Sequence, residues 1–485
     1  MDPPEWLVQK CRQLRLKIVR GAQRTLGTMV GFDDGQIRAF VMTQATKHEP
    51  YFEFIHNKTM TQQIAYHLLR ASTVPRMNYL SRTVTPARFR EGGKRFDDMV
   101  MAALKLKLNL QMTEEALLQL RLPVRNAGMG LRSCVECSHT AFWSAATQAA
   151  MALHPQVREY PEGQTPQFMI AVVECHNHMN RLGAEEGRDL PATPTCLWTT
   201  PERPDNEIPE RPQRHLMRIQ EKRTFNALTK TEKEKARLTS CAQKHAGAWL
   251  TCYPNTPDLT LTDQVFERAF KFRLGLRADR ILQTTCICGA ELAVDGWGHF
   301  HTCQKIRKST TIFRHDMLVS RLMAVANRAN APAEREPQYY KTARPDAKVY
   351  LTKAVHLLDV SVTHPSAQTY MAAAQRPYGA AKLRERSKTK KYGNLAAKEG
   401  SEFTPFVLET FGAIGKRARE FIAKLAIQAE ELGEDRKDFA ANIVQTLSVA
   451  LQRGNAYLQM QGAVAVRSGG RYLPAPGGGT GGRGR

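Results

Sequence analysis

The chain has 485 residues, with 70 Lys or Arg against 46 Asp or Glu and a formal net charge of +24. That length leaves room for two to four domains with buried cores, and the surplus positive charge favours polyanionic partners bound in a salt-sensitive way. No signal peptide and no apolar run long enough to cross a bilayer is read in it, and the clustering of three of its ten cysteines within eighteen residues argues for a metal site in a reducing compartment rather than a disulfide framework.

Residues 1 to about 152 carry mostly helical patterning, with amphipathic stretches at 96 to 110 and 141 to 153. Cys134-x-x-Cys137 with His139 has a metal-like spacing, but it sits in an apolar helical run with no second ligand pair, so it is read as core or incidental rather than as a zinc site. From 185 to 214, Pro191, Pro194, Pro201, Pro204, Pro209 and Pro212 fall among charged residues, which predicts a mobile linker or long loop. Helical composition returns from 215 to 280. The Gly-rich tail from Ser468, with Arg483 and Arg485, cannot bury a core and is expected to be disordered.

Cys286-x-Cys288 is followed after ten residues by His299 and after three more by Cys303. Three thiolates and one imidazole suit tetrahedral Zn²⁺, and a closed set of four is structural rather than catalytic. The Cys-x-Cys spacing is tighter than usual, His301 competes with His299 as the imidazole ligand, and a group of buried thiols is the plainer alternative.

Phe313, Met317, Leu318, Leu322 and Val325 then recur at helical spacing, and the stretch ends in Glu334-Arg335-Glu336-Pro337. Residues 347 to 351 and 354 to 363 are rich in Val, Leu and Tyr. A turn at Thr352-Lys353 would pair them as antiparallel strands, with 351 facing 354 and therefore Asp346 facing Asp359. Opposed residues hold their Cβ atoms about 4.5 to 5.5 Å apart. Carboxylates that close repel unless a cation lies between them, and Mg²⁺ or Mn²⁺ suits oxygen ligands and the hydrolysis of a phosphodiester. Glu336 stands near the hairpin as a third acidic candidate. The competing reading is an exposed hairpin with two solvated aspartates.

Residues 376 to 391 hold seven Lys or Arg against one Glu. Lys388, Lys391 and Tyr392 lie at i, i+3 and i+4 and would share a helix face. A lysine there could stabilise charge developing on an attacked phosphate, although such a run is also an ordinary solvated face.

Arg344-Pro345-Asp346, the twelve-residue gap to Asp359, Lys388-x-x-Lys391-Tyr392 and Glu402-Phe403-Thr404-Pro405-Phe406-Val407 together resemble the restriction-like endonuclease domain at the C-terminus of site-specific non-LTR retrotransposon proteins. That family belongs to the PD-(D/E)xK nuclease class and carries a zinc knuckle just before its nuclease. The resemblance implies metal binding by Asp346 and Asp359. The simplest pattern of the class has Lys two residues after the second acid, where this chain has Ser361, so the lysine role is expected to fall to Lys388 or Lys391.

Upstream, Val74-Pro75-Arg76-Met77-Asn78-Tyr79-Leu80-Ser81-Arg82, Phe96-Asp97, Leu122-Pro123-Val124 and Gly128-Met129-Gly130-Leu131-Arg132 resemble the polymerase thumb of the same proteins. Ala248-Trp249-Leu250, Pro254 and Arg273-Leu274-Gly275 are similar to the connector that follows it. The aromatic-x-Asp-Asp turn of a polymerase palm is not found, because Phe32-Asp33-Asp34 and Phe96-Asp97-Asp98 lack the intervening residue.

The expected fold is multidomain, with a mainly α, thumb-like region over 1–152 and a linker and helical connector over 153–280. A zinc knuckle over 281–305, an α/β PD-(D/E)xK nuclease-like domain over 306–465 and a tail over 466–485 follow. The implied function is that of a Mg²⁺- or Mn²⁺-dependent DNA endonuclease, the C-terminal portion of an element protein, nicking target DNA to prime reverse transcription without polymerase activity of its own. The alternative is an inactive nucleic-acid-binding remnant of such an element. Arg344, Lys382, Arg384, Arg386 and Lys390 are the candidate nucleic-acid contacts. Target DNA and element RNA are the expected partners, with no membrane, a homodimer for two-strand cleavage, and a nuclear location in which 382 to 391 would act as an import signal.

Overall fold

The computed structural model describes residues 5–16, 18–19, 21–153, 167–184, 211–277, 284–292, 298–337 and 344–470. Pro191 to Pro209 of the expected linker and the tail beyond 470 lie outside the described residues. The chain divides into two compact units. One comprises residues 1–57, 69–106 and 132–223, and the other residues 58–68, 107–131 and 224–485. The N-terminal region is mostly helical, and a mixed α/β region with a Cys/His cluster follows it toward the C-terminus. Among the described residues no helix is long and apolar enough to cross a membrane.

The first unit is built from helices such as Asp34–Thr46, Pro86–Lys107, Cys134–Leu153 and Gln167–Ala184. It also contains a hairpin that the sequence pattern does not announce, Ala22–Thr25 paired antiparallel with Thr28–Gly31. Leu26 and Gly27 between the strands both have positive φ, 50° and 85°, as a tight two-residue hairpin turn requires.

The acids that superficially resemble a palm motif have structural duties here. Asp33 caps a helix, accepting from Gln36 N at 2.9 Å, and Asp34 pairs with Arg88 at 2.6 Å. Asp97 accepts from the Ser133 hydroxyl at 2.6 Å and from Cys134 N at 3.0 Å, tying down the start of the Cys134–Leu153 helix. Cys134 is buried and donates to Gly93 O at 3.3 Å, and burial pushes the Cys137 thiol up to about 12. His139 stacks on His178 with ring centroids 4.1 Å apart; Cys134 is a core residue, and Cys137 and His139 are half-buried beside it. Pro212 also differs from expectation. It opens the Pro212–Leu228 helix, where its missing N–H costs nothing, so the end of the predicted linker is helical.

In the second unit Arg273 explains several otherwise scattered sequence signals. Its guanidinium, 2% exposed, donates to Val124 O at 3.0 Å, Cys241 O at 3.1 Å, Gly128 O at 3.3 Å and Ala246 O at 3.4 Å. Gly128 must be glycine for this packing, because a Cβ there would fall 1.9 Å from Leu122 O.

A four-stranded sheet in the same unit positions the candidate site, with strand order Ala333–Arg335, Ala347–Tyr350, Val355–Thr363, Glu402–Glu409. The first three strands are antiparallel and the last pairs parallel to its neighbour. A parallel pair needs a crossover, which the Gln368–Ala374 and Gly379–Lys398 helices supply. Ala347 pairs with Leu358 and Tyr350 with Val355, the register expected from the sequence, and Leu351 N bonds Ala354 O at 3.1 Å to close the turn.

Alternation along the strands sends residues to two faces. Leu358, Val360, Phe406 and Leu408 pack with Leu318 and Leu322 of the Gln304–Arg328 helix, Phe421 of Lys416–Glu431 and Leu447 of Arg436–Arg467. Leu357 packs on the opposite face with Ala396 of the Gly379–Lys398 helix. Asp359 follows Leu357 by two and therefore lies on the face that this helix covers. The edge strand Ala333–Arg335 is unexpected, since Ala-Glu-Arg has no strand pattern of its own.

The covering helix is fixed at its start. Ala381 N donates to the buried Glu409 carboxylate at 3.0 Å, and a Cβ on Gly379 would fall 1.7 Å from Ala373 O. Gly379→Ala is therefore expected to destabilise the protein by about 1–3 kcal/mol, read from denaturant midpoints. An unchanged midpoint would contradict that tight approach.

Candidate metal centre and carboxylate site

Cys286 and Cys288 lie in a tight loop closed by Gly289 N to Cys286 O and Cys286 N to Ala290 O, both 2.8 Å, with Gly289 at φ 89°. His299 lies on the short Gly298–Thr302 helix, and Cys303 caps the helix that starts at Gln304. Cys286 Sγ and Cys303 Sγ are 3.7 Å apart, and Cys288 Sγ is 3.2 Å from His299 Nε2. All four ligand atoms lie within 4.8 Å of one another. A central Zn²⁺ needs S at about 2.3 Å and N at about 2.0 Å, and this set is compact enough to surround one. Three sulfurs and one imidazole with no carboxylate are the donors of a closed structural site.

The imidazole is resolved in favour of His299. His301 is buried elsewhere, stacked on Phe272 at 4.8 Å, with its ring nitrogens 3.2 Å from Arg314 Nη1 and 3.2 Å from Gln459 Nε2. Cys286 and Cys303 share one apolar cluster with Leu122, Phe300, Ile306, Phe411 and Leu458.

Asp346 lies just before the Ala347–Tyr350 strand, and Asp359 lies within Val355–Thr363. Asp346 N donates to Leu358 O at 2.8 Å, and Asp346 Oδ2 accepts from Val360 N at 2.6 Å. Asp359 is only 3% exposed, and Lys388 Nζ reaches both its oxygens, Oδ1 at 2.9 Å and Oδ2 at 2.7 Å. Ser361 donates to Asp359 Oδ2 at 3.2 Å, so a lysine from the crossover helix supplies the charge that Ser361 cannot.

Lys391 is placed differently from Lys388. It is exposed and donates to the Tyr392 hydroxyl at 3.1 Å, and Tyr392 in turn donates to Arg344 O at 3.3 Å. The Tyr392 bond raises the Lys391 ammonium above its ordinary range, and burial raises Tyr392.

Two findings depart from the sequence analysis. Glu336 comes beside Asp346 in the sheet, with its N donating to Asp346 O at 3.0 Å, but its side chain is exposed. Among the described residues only the Cys/His set gathers three or more metal-ligating side chains, so Glu336 does not join the aspartates as a third converging ligand. His315 carries no motif that points to a role. Its Nε2 lies 3.0 Å from Asp346 Oδ2, and this hydrogen bond raises the imidazole above its ordinary value against the opposing effect of burial. Its helical position is legible, but nothing in local spacing says that this face of the helix meets residue 346.

The basic run forms a stripe. Lys382, Arg386 and Lys390 recur at i+4 on the Gly379–Lys398 helix and are all exposed, Arg384 is half-buried, and Arg344 is exposed near Tyr392. The run's one acid, Glu385, turns inward and accepts from Arg417 N at 3.0 Å. The exposed charge is therefore entirely cationic along this stripe.

No family model matches the chain. The chain is similar to the Retrotransposable element SLACS 132 kDa protein of Trypanosoma brucei gambiense, at 27% identity over 150 residues, 29% of this chain. The match spans 12% of that relative's length.

Proposed function

We propose that the second unit is a metal-dependent endonuclease acting on duplex DNA, with a structural zinc site beside it, and that the chain is part of a non-LTR retrotransposon protein. One observation carries this reading. Lys388 bonds both oxygens of the buried Asp359 from a helix whose outer face is cationic, and the register of Ala347–Tyr350 on Val355–Thr363, continued by one residue, would bring Asp346 opposite Asp359. Similarity to a retrotransposable-element protein supports it.

Asp346 and Asp359 would hold Mg²⁺ or Mn²⁺, which supplies Lewis acidity and a lowered pKa for water in phosphodiester hydrolysis. The donors fit a hard cation, being carboxylate oxygens, and the bond that ties Asp346 to the neighbouring strand uses Oδ2 rather than Oδ1. Lys388 orients Asp359 and balances its charge inside a poorly solvated site. Lys391, exposed and one helical turn further on, would meet the phosphate and stabilise the charge that builds on it. Lys382, Arg386, Lys390, Arg384 and Arg344 would track the DNA backbone. In this reading the zinc site and the sheet form the nuclease region, the first unit is thumb-like and engages element RNA, two copies cut the two strands, and the setting is the nucleus.

The two lysines give a direct test. Lys391→Ala should slow nicking with little change in stability, whereas Lys388→Ala should both slow nicking and destabilise the fold, because it leaves the Asp359 carboxylate buried without its partner, at about 3 kcal/mol or more. Equal rates for both variants and wild type would remove lysine from the mechanism. For the stripe, replacing Lys382, Arg386 and Lys390 with Ala should reduce the slope of log affinity against log salt by about 0.9 for each phosphate that is no longer neutralised. A slope that does not move would locate DNA binding elsewhere.

A second reading, a nucleic-acid-binding remnant without catalysis, draws on a specific observation as well. Lys388 takes both Asp359 oxygens and Glu336 supplies no third ligand, an arrangement that is stable as a plain ion pair.

A further inference from the structure

We infer that His315 is a positioning residue that fixes the orientation of the Asp346 carboxylate, an inference that rests on the nuclease reading above. Asp346 Oδ2 receives two donors, Val360 N at 2.6 Å from the neighbouring strand and His315 Nε2 at 3.0 Å from the Gln304–Arg328 helix. With Oδ2 held on two sides, rotation about the carboxylate bond is restricted and Oδ1 is the oxygen left to face a cation. His315 is itself oriented. Its Nδ1 lies 3.4 Å from Asp316 Oδ1, and Asp316 pairs with Arg335 of the edge strand at 2.9 Å. A chain of contacts thus runs from Arg335 through Asp316 and His315 to Asp346, and it joins the helix to the strand beside Asp346. Hydrogen-bonded partners of this kind fix the orientation of ligating carboxylates, and their loss typically weakens metal binding or activity about 10- to 100-fold.

The helix is a firm base for such a contact. Leu318 and Leu322 fix one side of it in the core, and Arg314, the residue before His315, donates to Asn455 at 2.8 Å. His315 remains partly exposed, with 32% of its side chain accessible, so its substitution should leave the core packing intact.

The experiment is an Mn²⁺ titration of the full chain, followed by the electron paramagnetic resonance signal of free Mn²⁺, with nicking of duplex DNA measured on the same samples. Wild type, Asp346→Ala, His315→Ala and His315→Gln are compared, each with zinc content and thermal midpoint recorded. Glutamine can present an N–H close to the position of Nε2 without an ionisable ring. His315→Ala should weaken Mn²⁺ binding about 10-fold or more and slow nicking, with DNA affinity unchanged, while His315→Gln restores most of both. If Asp346→Ala loses Mn²⁺ but His315→Ala binds it as wild type does, the positioning role is overturned and the nuclease reading stands. His315→Gln behaving like His315→Ala would also overturn it, since the hydrogen bond would then not be what matters. If wild type neither binds Mn²⁺ nor nicks, both the nuclease reading and this inference fall.

Discussion

Asp346→Ala and Asp359→Ala are each expected to reduce divalent-metal-supported nicking of duplex DNA to the uncatalysed background while leaving duplex affinity intact. Neither aspartate is placed to touch a phosphate except through a bound cation, so binding and cutting should separate cleanly. The two variants should nevertheless differ in stability. Asp346 is partly exposed, whereas Asp359 is 3% exposed and compensates the Lys388 ammonium. Removing Asp359 leaves that ammonium unpaired in a site with little water, at about 3–5 kcal/mol. Asp359→Asn preserves shape and offers Lys388 a carbonyl oxygen, so it should fold better than Asp359→Ala and be equally inactive. Nicking retained in folded Asp359→Asn would show that the carboxylate charge is not required.

Loss of zinc should have the next largest effect. Purified reduced protein is expected to carry one Zn²⁺ per chain, and Cys288→Ser or Cys303→Ser should release it. The free energy of a structural zinc site is folding free energy, about 10–16 kcal/mol in small zinc domains. Here the ligands share a core with Phe300, Ile306, Phe411 and Leu458, so metal loss should loosen the loop at 284–292 and the start of the Gln304–Arg328 helix. Limited proteolysis and elemental analysis read both effects. His299→Ala should lose zinc and His301→Ala should retain it, because His301 is engaged with Phe272 and Arg314 rather than with the cysteines. The reverse outcome would reassign the ligand.

The elements legible in the sequence are those fixed by local pattern. Val-, Leu- and Tyr-rich runs on either side of Thr352-Lys353 specify a hairpin, and closing the turn there fixes the register, which the structure shows from Ala347 on Leu358 to Tyr350 on Val355. Helical spacing places Lys388, Lys391 and Tyr392 on one face, and the structure gives that face two different uses. The Cys286, Cys288, His299 and Cys303 set is legible from ligand chemistry, although choosing His299 over His301 requires knowing which ring the core has already occupied.

What escapes the sequence depends on contacts between distant segments. Ala333–Arg335 becomes a strand only because a neighbouring strand offers it a ladder, and this brings Glu336 beside Asp346 without aiming its carboxylate at the pair. His315 meets Asp346 across thirty-one positions, counted from 315 to 346, through helix-on-sheet packing that no local pattern encodes. The Asp33, Asp34 and Asp97 carboxylates show the converse. Their sequence context hints at chemistry, and their partners are helix starts and Arg88.

The most direct measurement is nicking of supercoiled duplex DNA by the zinc-loaded full chain, with Mg²⁺, Mn²⁺, Ca²⁺ or chelator, beside the Asp346→Ala/Asp359→Ala double variant prepared in the same way. The proposal predicts nicking by wild type with Mg²⁺ or Mn²⁺, binding without cutting in Ca²⁺, and no nicking by the double variant under any condition. Equal nicking by wild type and the double variant, from proteins that fold, hold zinc and bind DNA, would contradict it and leave a nucleic-acid-binding protein without a nuclease.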